Sequence, residues 1–203
     1  YIKTKDAKFH VQNTIKIKKN VFGHIGVLES GPLKCNEQVE ALIDEHRRND
    51  IKRNHSVTHL LHKALKIVLG DHVEQKGSYE DADYLRFDFA HFQKMTDEEI
   101  QKVEQLVNQA IWNNAPANVQ TDVAIKDAEA MGAIALFVEK YGDKVRVVQF
   151  ADSVELCGGT HVEATGQIGL FKIQHEGAIA AGIRRIEAIT GDKAIAFYNA
   201  QLA

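Results

Sequence analysis

One segment restricts the architecture of this chain more than any other, the run from Asn54 to Gly70. Val57, Leu60, Leu61, Ala64, Leu65 and Val68 recur at helical spacing, so an amphipathic helix is expected over residues 55–69. Gly70 stands where a helix can end, and Asn54 or Ser56 where one can be capped. His55, His59 and His62 fall in one narrow sector, turned away from the apolar stripe. One side of the helix therefore calls for a hydrophobic partner. The other carries three imidazoles that need water, hydrogen bonds or an ion. His55 and His59 stand one turn apart, which lets two imidazoles converge on a metal. Taken alone, such a pair reads first as solvated or hydrogen-bonded histidines.

A second element lies far along the chain, Cys157-Gly158-Gly159-Thr160-His161. It follows an expected strand over 153–156. The glycines permit a tight bend and let backbone approach a bound group. A thiolate and an imidazole can then face one point. Alone, Cys157 also reads as a buried apolar residue, or as half of a Cys157–His161 nucleophile pair with no orienting partner in view. Taken together, His55, His59, Cys157 and His161 form a mixed thiolate and imidazole set that favours zinc among common metals. The long gap between the two pairs excludes a small zinc finger.

The rest of the chain sets the frame. Residues 1 to about 45 look β-rich, with partial alternation at Phe9–Val11 and Thr14–Ile17, a glycine-punctuated apolar run over Val21–Leu28 and a turn at Gly31-Pro32. A short helix is expected around Val39–Glu45. Tyr84–Ala90 alternates at period two, putting Tyr84, Arg86, Asp88 and Ala90 on one face and Leu85, Phe87 and Phe89 on the other. Thr96 and Glu99 make a capping box ahead of a second helix that stops before Pro116. Strands are expected over 118–126, 134–138, 145–150, 169–174 and 183–189, with a helical turn at 127–131, a turn at Tyr141-Gly142-Asp143 and a helix from Asp192. The expected fold is α+β: a small β-barrel-like N-terminal module over residues 1–45, then an α/β sandwich over 46–203 with a mainly antiparallel sheet and a zinc site.

Composition narrows the class. Among 203 residues, 44% are hydrophobic and 26% charged, and no stretch of 18 apolar residues is present, so no membrane span is expected. Two cysteines make no disulfide framework, which favours a reduced, cytoplasmic setting. The chain starts without Met or an apolar leader, and so reads as a piece of something longer. The net charge of −3 argues weakly against bulk nucleic-acid binding. It leaves room for local basic clusters at Lys16–Lys19, Arg47–Arg53 and Arg184-Arg185. Arg86 and Asp88 share a face, as an ion pair or a nucleic-acid contact. Arg184 and Arg185 should point to opposite faces.

Asn54–His62 and Cys157–Val162, with Gln75-Lys76-Gly77-Ser78, Leu85–Phe89 and Ala180–Ala188 between and after them, resemble the motifs of alanyl-tRNA synthetase editing domains. The resemblance covers nearly the whole chain. It extends to free-standing alanyl-tRNA editing proteins and to the editing fold of threonyl-tRNA synthetase. It implies hydrolysis of Ser-tRNA(Ala) and Gly-tRNA(Ala), zinc on His55, His59, Cys157 and His161, Gln75 in the editing pocket and Thr58 in recognising the wrong amino acid. It implies the tRNA(Ala) acceptor end as partner; Gly158, Gly159, Arg86, Asp88, Arg184 and Arg185 are the candidate contacts, with at most one of the two adjacent arginines reaching it. It also implies that ATP-dependent aminoacylation and the C-terminal oligomerising and tRNA-binding parts belong to segments absent here.

Overall fold

The computed structural model describes residues 1–18, 21–134 and 142–202. They divide into two compact units, Tyr1–Arg48 and Asn49–Ala203. Lys19, Tyr141 and the expected strand beyond Ile134 lie outside the described residues.

In the first unit a long antiparallel hairpin, β2 (Lys8–Lys18) with β3 (Val21–Ser30), is extended by β1 (Ile2–Lys3) and β4 (Glu40–Ala41) in the order β3-β2-β1-β4. The expected barrel is overturned, because among the described residues this sheet is open. Closure needs the two outer strands to pair with each other. Here β4 is only two residues long. The side chains of Ile15, Ile17, Val21, Phe22, Ile25 and Val27 are all exposed, so no barrel interior forms around them. The short helix expected over 39–45 is also absent, and residues 40–41 form β4 instead.

The histidine-bearing helix begins earlier than its apolar pattern implies: α1 runs Glu45–Leu69. The Asp44 carboxylate accepts from the Arg47 N–H at 3.0 Å and caps it. Gly70, at φ 112, ends it, a conformation that L side chains resist. Asn54 and Ser56 are therefore mid-helix rather than caps. Asn54 is buried and ties α1 to two strand ends. Its Nδ2 donates to the Asp81 carbonyl at 2.8 Å, and its Oδ1 accepts from the Thr190 hydroxyl at 2.7 Å.

The second unit holds two antiparallel sheets where one was expected. The larger joins β5 (Gln75–Glu80), β6 (Leu85–Ala90), β10 (Phe171–Ala180) and β11 (Ile183–Thr190) in the order β10-β11-β6-β5. The smaller has β7 (Ala117–Ala124), β8 (Lys144–Phe150) and β9 (Ser153–Leu156) in chain order. α2 (Asp97–Trp112) carries the expected Thr96–Glu99 capping box, while α3 (Ile125–Ala130) and α4 (Gly191–Leu202) are short.

One core joins Val57, Leu61 and Leu65 of α1 to Leu85, Phe87 and Phe89 of β6, Val103 and Val107 of α2, and Ile186 of β11. Each large apolar side chain buried this way contributes about 1.5–3 kcal/mol. The other side of α1 meets the smaller sheet: the His59 ring lies 6.2 Å from the Phe150 ring, and the Ser153 hydroxyl donates to the His59 carbonyl at 3.3 Å. α1 is thus packed between the two sheets. Both its stripes are buried, the leucines against one sheet and His59 and His62 against the other.

Candidate metal centre

α1 presents His55 and His59 toward the bend that follows β9. The ligand atoms of His55, His59, Cys157 and His161 all lie within 4.8 Å of one another. Cys157 Sγ is 3.4 Å from His55 Nε2 and 3.3 Å from His161 Nε2. The bend is fastened to β8. The Cys157 N–H donates to the Arg146 carbonyl at 3.1 Å, and Arg146 Nη1 donates to the carbonyls of Cys157 and Gly159, each at 2.8 Å. Gly159 is required by contact: a Cβ there would stand 2.0 Å from His55 Cε1. Gly158 faces open space instead, with nothing within 4 Å of the corresponding position.

The outward nitrogens are held as well. His161 Nδ1 is 3.2 Å from Ser56 Oγ, which also accepts from the Val162 N–H at 3.0 Å. This leaves Nε2 of His161 as the donor. The Thr160 backbone carbonyl lies near the His55 ring and favours its protonated form. His59 Nδ1 is buried without hydrogen-bond geometry, and the nearest carboxylate oxygen, Glu155 Oε2, is 3.5 Å away. Glu155 Oε1 lies 2.9 Å from His62 Nδ1.

Burial depresses the basicity of all three cluster imidazoles. His161 falls to about 2, through burial first and then the neighbouring His59 and His55. His55 and His59 are also lowered, each chiefly by burial. Burial raises the Cys157 thiol. Three neutral imidazole lone pairs and one thiol around a common point fit a borderline-soft divalent ion. This cluster can hold a metal ion.

The remaining expected site residues sit as follows. Thr58 is buried. Its hydroxyl donates back to the Asn54 carbonyl at 2.9 Å and lies 3.4 Å from Glu80 Oε1. Gln75 pairs with Phe89 because a bulge at Lys76 shifts the β5–β6 register. It therefore shares the sheet face that packs on α1. Asp88 and Arg185 pair across β6 and β11 on the opposite face, bidentate at 2.7 and 2.9 Å. Arg86 Nε stands 3.7 Å from Asp88 Oδ2, too far to hydrogen-bond. Arg184 points to the α1 side, where its Nη2 donates to Glu176 Oε2 at 2.8 Å. Arg184, Arg185 and Asp88 are thus engaged with one another or with Glu176, and the structure gathers none of them into the four-donor cluster. Both cysteines are free thiols.

Sequence reasoning missed Arg146, Ser56, Glu80 and Glu155. Glu155 left a partial trace, since it stands two residues before Cys157 on the expected strand that leads into the bend. The other three left none.

Residues 145–187 match the family described as Threonyl and Alanyl tRNA synthetase second additional domain. A synthetase-associated domain is thus the class to which this stretch, carrying both Cys157 and His161, is similar. Over nearly all its length the chain is homologous to a segment of alanine–tRNA ligases. It is 56% identical to that of Delftia acidovorans over 196 residues, 97% of this chain and 22% of the relative. It is 57% identical to those of Paraburkholderia phymatum and Burkholderia cenocepacia, over 94% of the chain in each case. The chain spans about a fifth of the length of the curated relatives it matches, 22%. Among the described residues, no helix is long and apolar enough to cross a membrane.

Proposed function

We propose that this chain is the editing region of an alanine–tRNA ligase, acting in the cytoplasm on tRNA(Ala) wrongly charged with serine or glycine. The observation that carries the reading is the convergence of two distant sequence motifs on one cluster of donors within 4.8 Å. Its residues 1–45 would be an accessory module and 46–203 the catalytic part. The attachment of alanine, which names the relatives, would reside outside these residues.

Zinc held by His55, His59, Cys157 and His161 would supply positive charge to polarise the ester or orient the substrate amine. The chain's own groups do the rest. Water adds to the ester carbonyl carbon, the bond to the ribose oxygen breaks, that oxygen takes up a proton, and the amino acid leaves. Gln75, from the sheet face packed on α1, orients the water. A carboxamide is no base, so its part is placement. The Thr58 proton is committed to the Asn54 carbonyl, which leaves lone pairs to accept from a serine hydroxyl. Alanine has no such donor, and pairing of this kind discriminates more sharply than one methylene does. Gly158, with no side chain and open space beside it, leaves room for the acceptor end. Arg86, Asp88 and Arg185, which share one sheet face, are a further proposed tRNA contact, while Arg184 turns to the other face and Gly159 packs on His55.

The test is deacylation of Ser-tRNA(Ala) and Ala-tRNA(Ala) by the zinc-loaded protein, with Cys157→Ala as control. Faster release of serine, lost in the variant, is the expected result. A second reading has one observation in its favour: four side-chain donors make a closed site of the structural kind. On that reading the chain is an RNA-binding module with a structural ion. Full zinc loading with no deacylation of either substrate would select it.

A further inference from the structure

Behind the four donors lies a buried acid that the proposed chemistry does not use. Glu155 lies on β9, and Cys157 stands two residues further along, just past the strand's end. α1 opposes it with His55, His59 and His62, spaced four and three residues apart, which also share a face. Cys157 meets His55, at 3.4 Å, while Glu155 meets the next two rings. Its Oε1 is 2.9 Å from His62 Nδ1, and its Oε2 is 3.5 Å from His59 Nδ1. The side chains of Glu155, His59 and His62 are 4%, 3% and 1% exposed. Water therefore does not satisfy this carboxylate, and both His59 Nδ1 and His62 Nε2 are buried without a hydrogen-bond partner.

We propose that Glu155 is a positioning residue for the metal centre: it accepts a hydrogen bond from the Nδ1–H of His59, fixes that ring with Nε2 toward the ion, and is itself held by His62. The inference rests on the metal-site reading. A ligating histidine needs its second nitrogen anchored, and a carboxylate there both fixes the tautomer and strengthens the donor. The hydroxyl of Ser56 anchors His161. His59 Nδ1 is buried with no hydrogen bond made, and among the described residues the only carboxylate in ion-pair range of it is Glu155. The geometry needs a closing movement of a few tenths of an ångström to bring 3.5 Å into hydrogen-bond range. Charge balance points the same way. With the Cys157 thiolate as the one anionic ligand, the Glu155 carboxylate supplies the second negative charge that a buried divalent ion needs for neutrality.

The experiment measures zinc affinity by competition with a chromophoric chelator, and the visible spectrum of the cobalt(II)-substituted protein, for wild type, Glu155→Gln and His62→Gln. Glu155→Gln is expected to bind zinc about 10- to 100-fold more weakly and to shift the cobalt bands, since the ligand field at His59 changes. His62→Gln, which leaves Glu155 in place but loosens it, should give a smaller loss of the same kind. Should Glu155→Gln fail to fold, His62→Gln and the imidazole nitrogen NMR of zinc-loaded wild type carry the test, the latter expected to show His59 protonated on Nδ1. Wild-type affinity and unchanged cobalt bands in the folded variants, or His59 protonated on Nε2, would overturn the role given to Glu155. Failure of the wild-type protein to take up either metal would instead overturn the metal-site reading itself.

Discussion

At the scale of single residues, the centre depends on groups of two kinds. The donors themselves should be indispensable. His59→Ala and Cys157→Ala are each expected to lose most bound zinc, read by elemental analysis after gel filtration; stoichiometric zinc in both would remove them from the ligand set. Gly159 matters for a different reason. A methyl there would fall 2.0 Å from His55 Cε1, so the ring must swing away or the bend must open. Gly159→Ala should weaken zinc binding by at least about 10-fold, measured by chelator competition, while Gly158→Ala, facing open space, should leave it near wild type. The four donors were legible because imidazole and thiol are rare and their spacings are written directly in the chain. Arg146 was not legible. It acts through carbonyls, every residue supplies a carbonyl, and nothing in the sequence tells which arginine reaches the bend.

At the scale of elements, propensity and pattern were readable where an element's own residues decide its state. The Thr96–Glu99 box and the alternation of Leu85, Phe87 and Phe89 are of this sort. Thr96→Ala should cost about 1 kcal/mol, seen as a fall of about 2–4 °C in melting temperature, with no change in zinc affinity. What the sequence hid was decided by partners. The start of α1 at Glu45 lies in a charged stretch with no apolar period, and only Asp44 marks it. The hairpin of β2 and β3 has the composition of a barrel wall, but a wall becomes a barrel only when its edges meet, and two-residue strands do not bring them together. The division of the second unit into two sheets was equally hidden, because α1 reads as one-sided when in fact both its faces are covered.

At the scale of the whole molecule, an ion at this cluster would join a helix to a bend that follows β5 to β9 in the chain. Binding energy at such a site is folding energy. Zinc at about 100 times its dissociation constant should add about 2.7 kcal/mol to the stability of the unit that contains it, and a chelator should lower the melting temperature accordingly. A melting curve indifferent to chelator and to added zinc would mean that the donors meet without an ion's help. The order in which the donors appear also has a bearing on biosynthesis. His55 and His59 leave the ribosome well before Cys157 and His161, so a nascent chain carries a two-imidazole half-site with little grip on metal. Tight capture can only be a late event, and a chain that stalls or is cut before Cys157 emerges without the means to hold an ion.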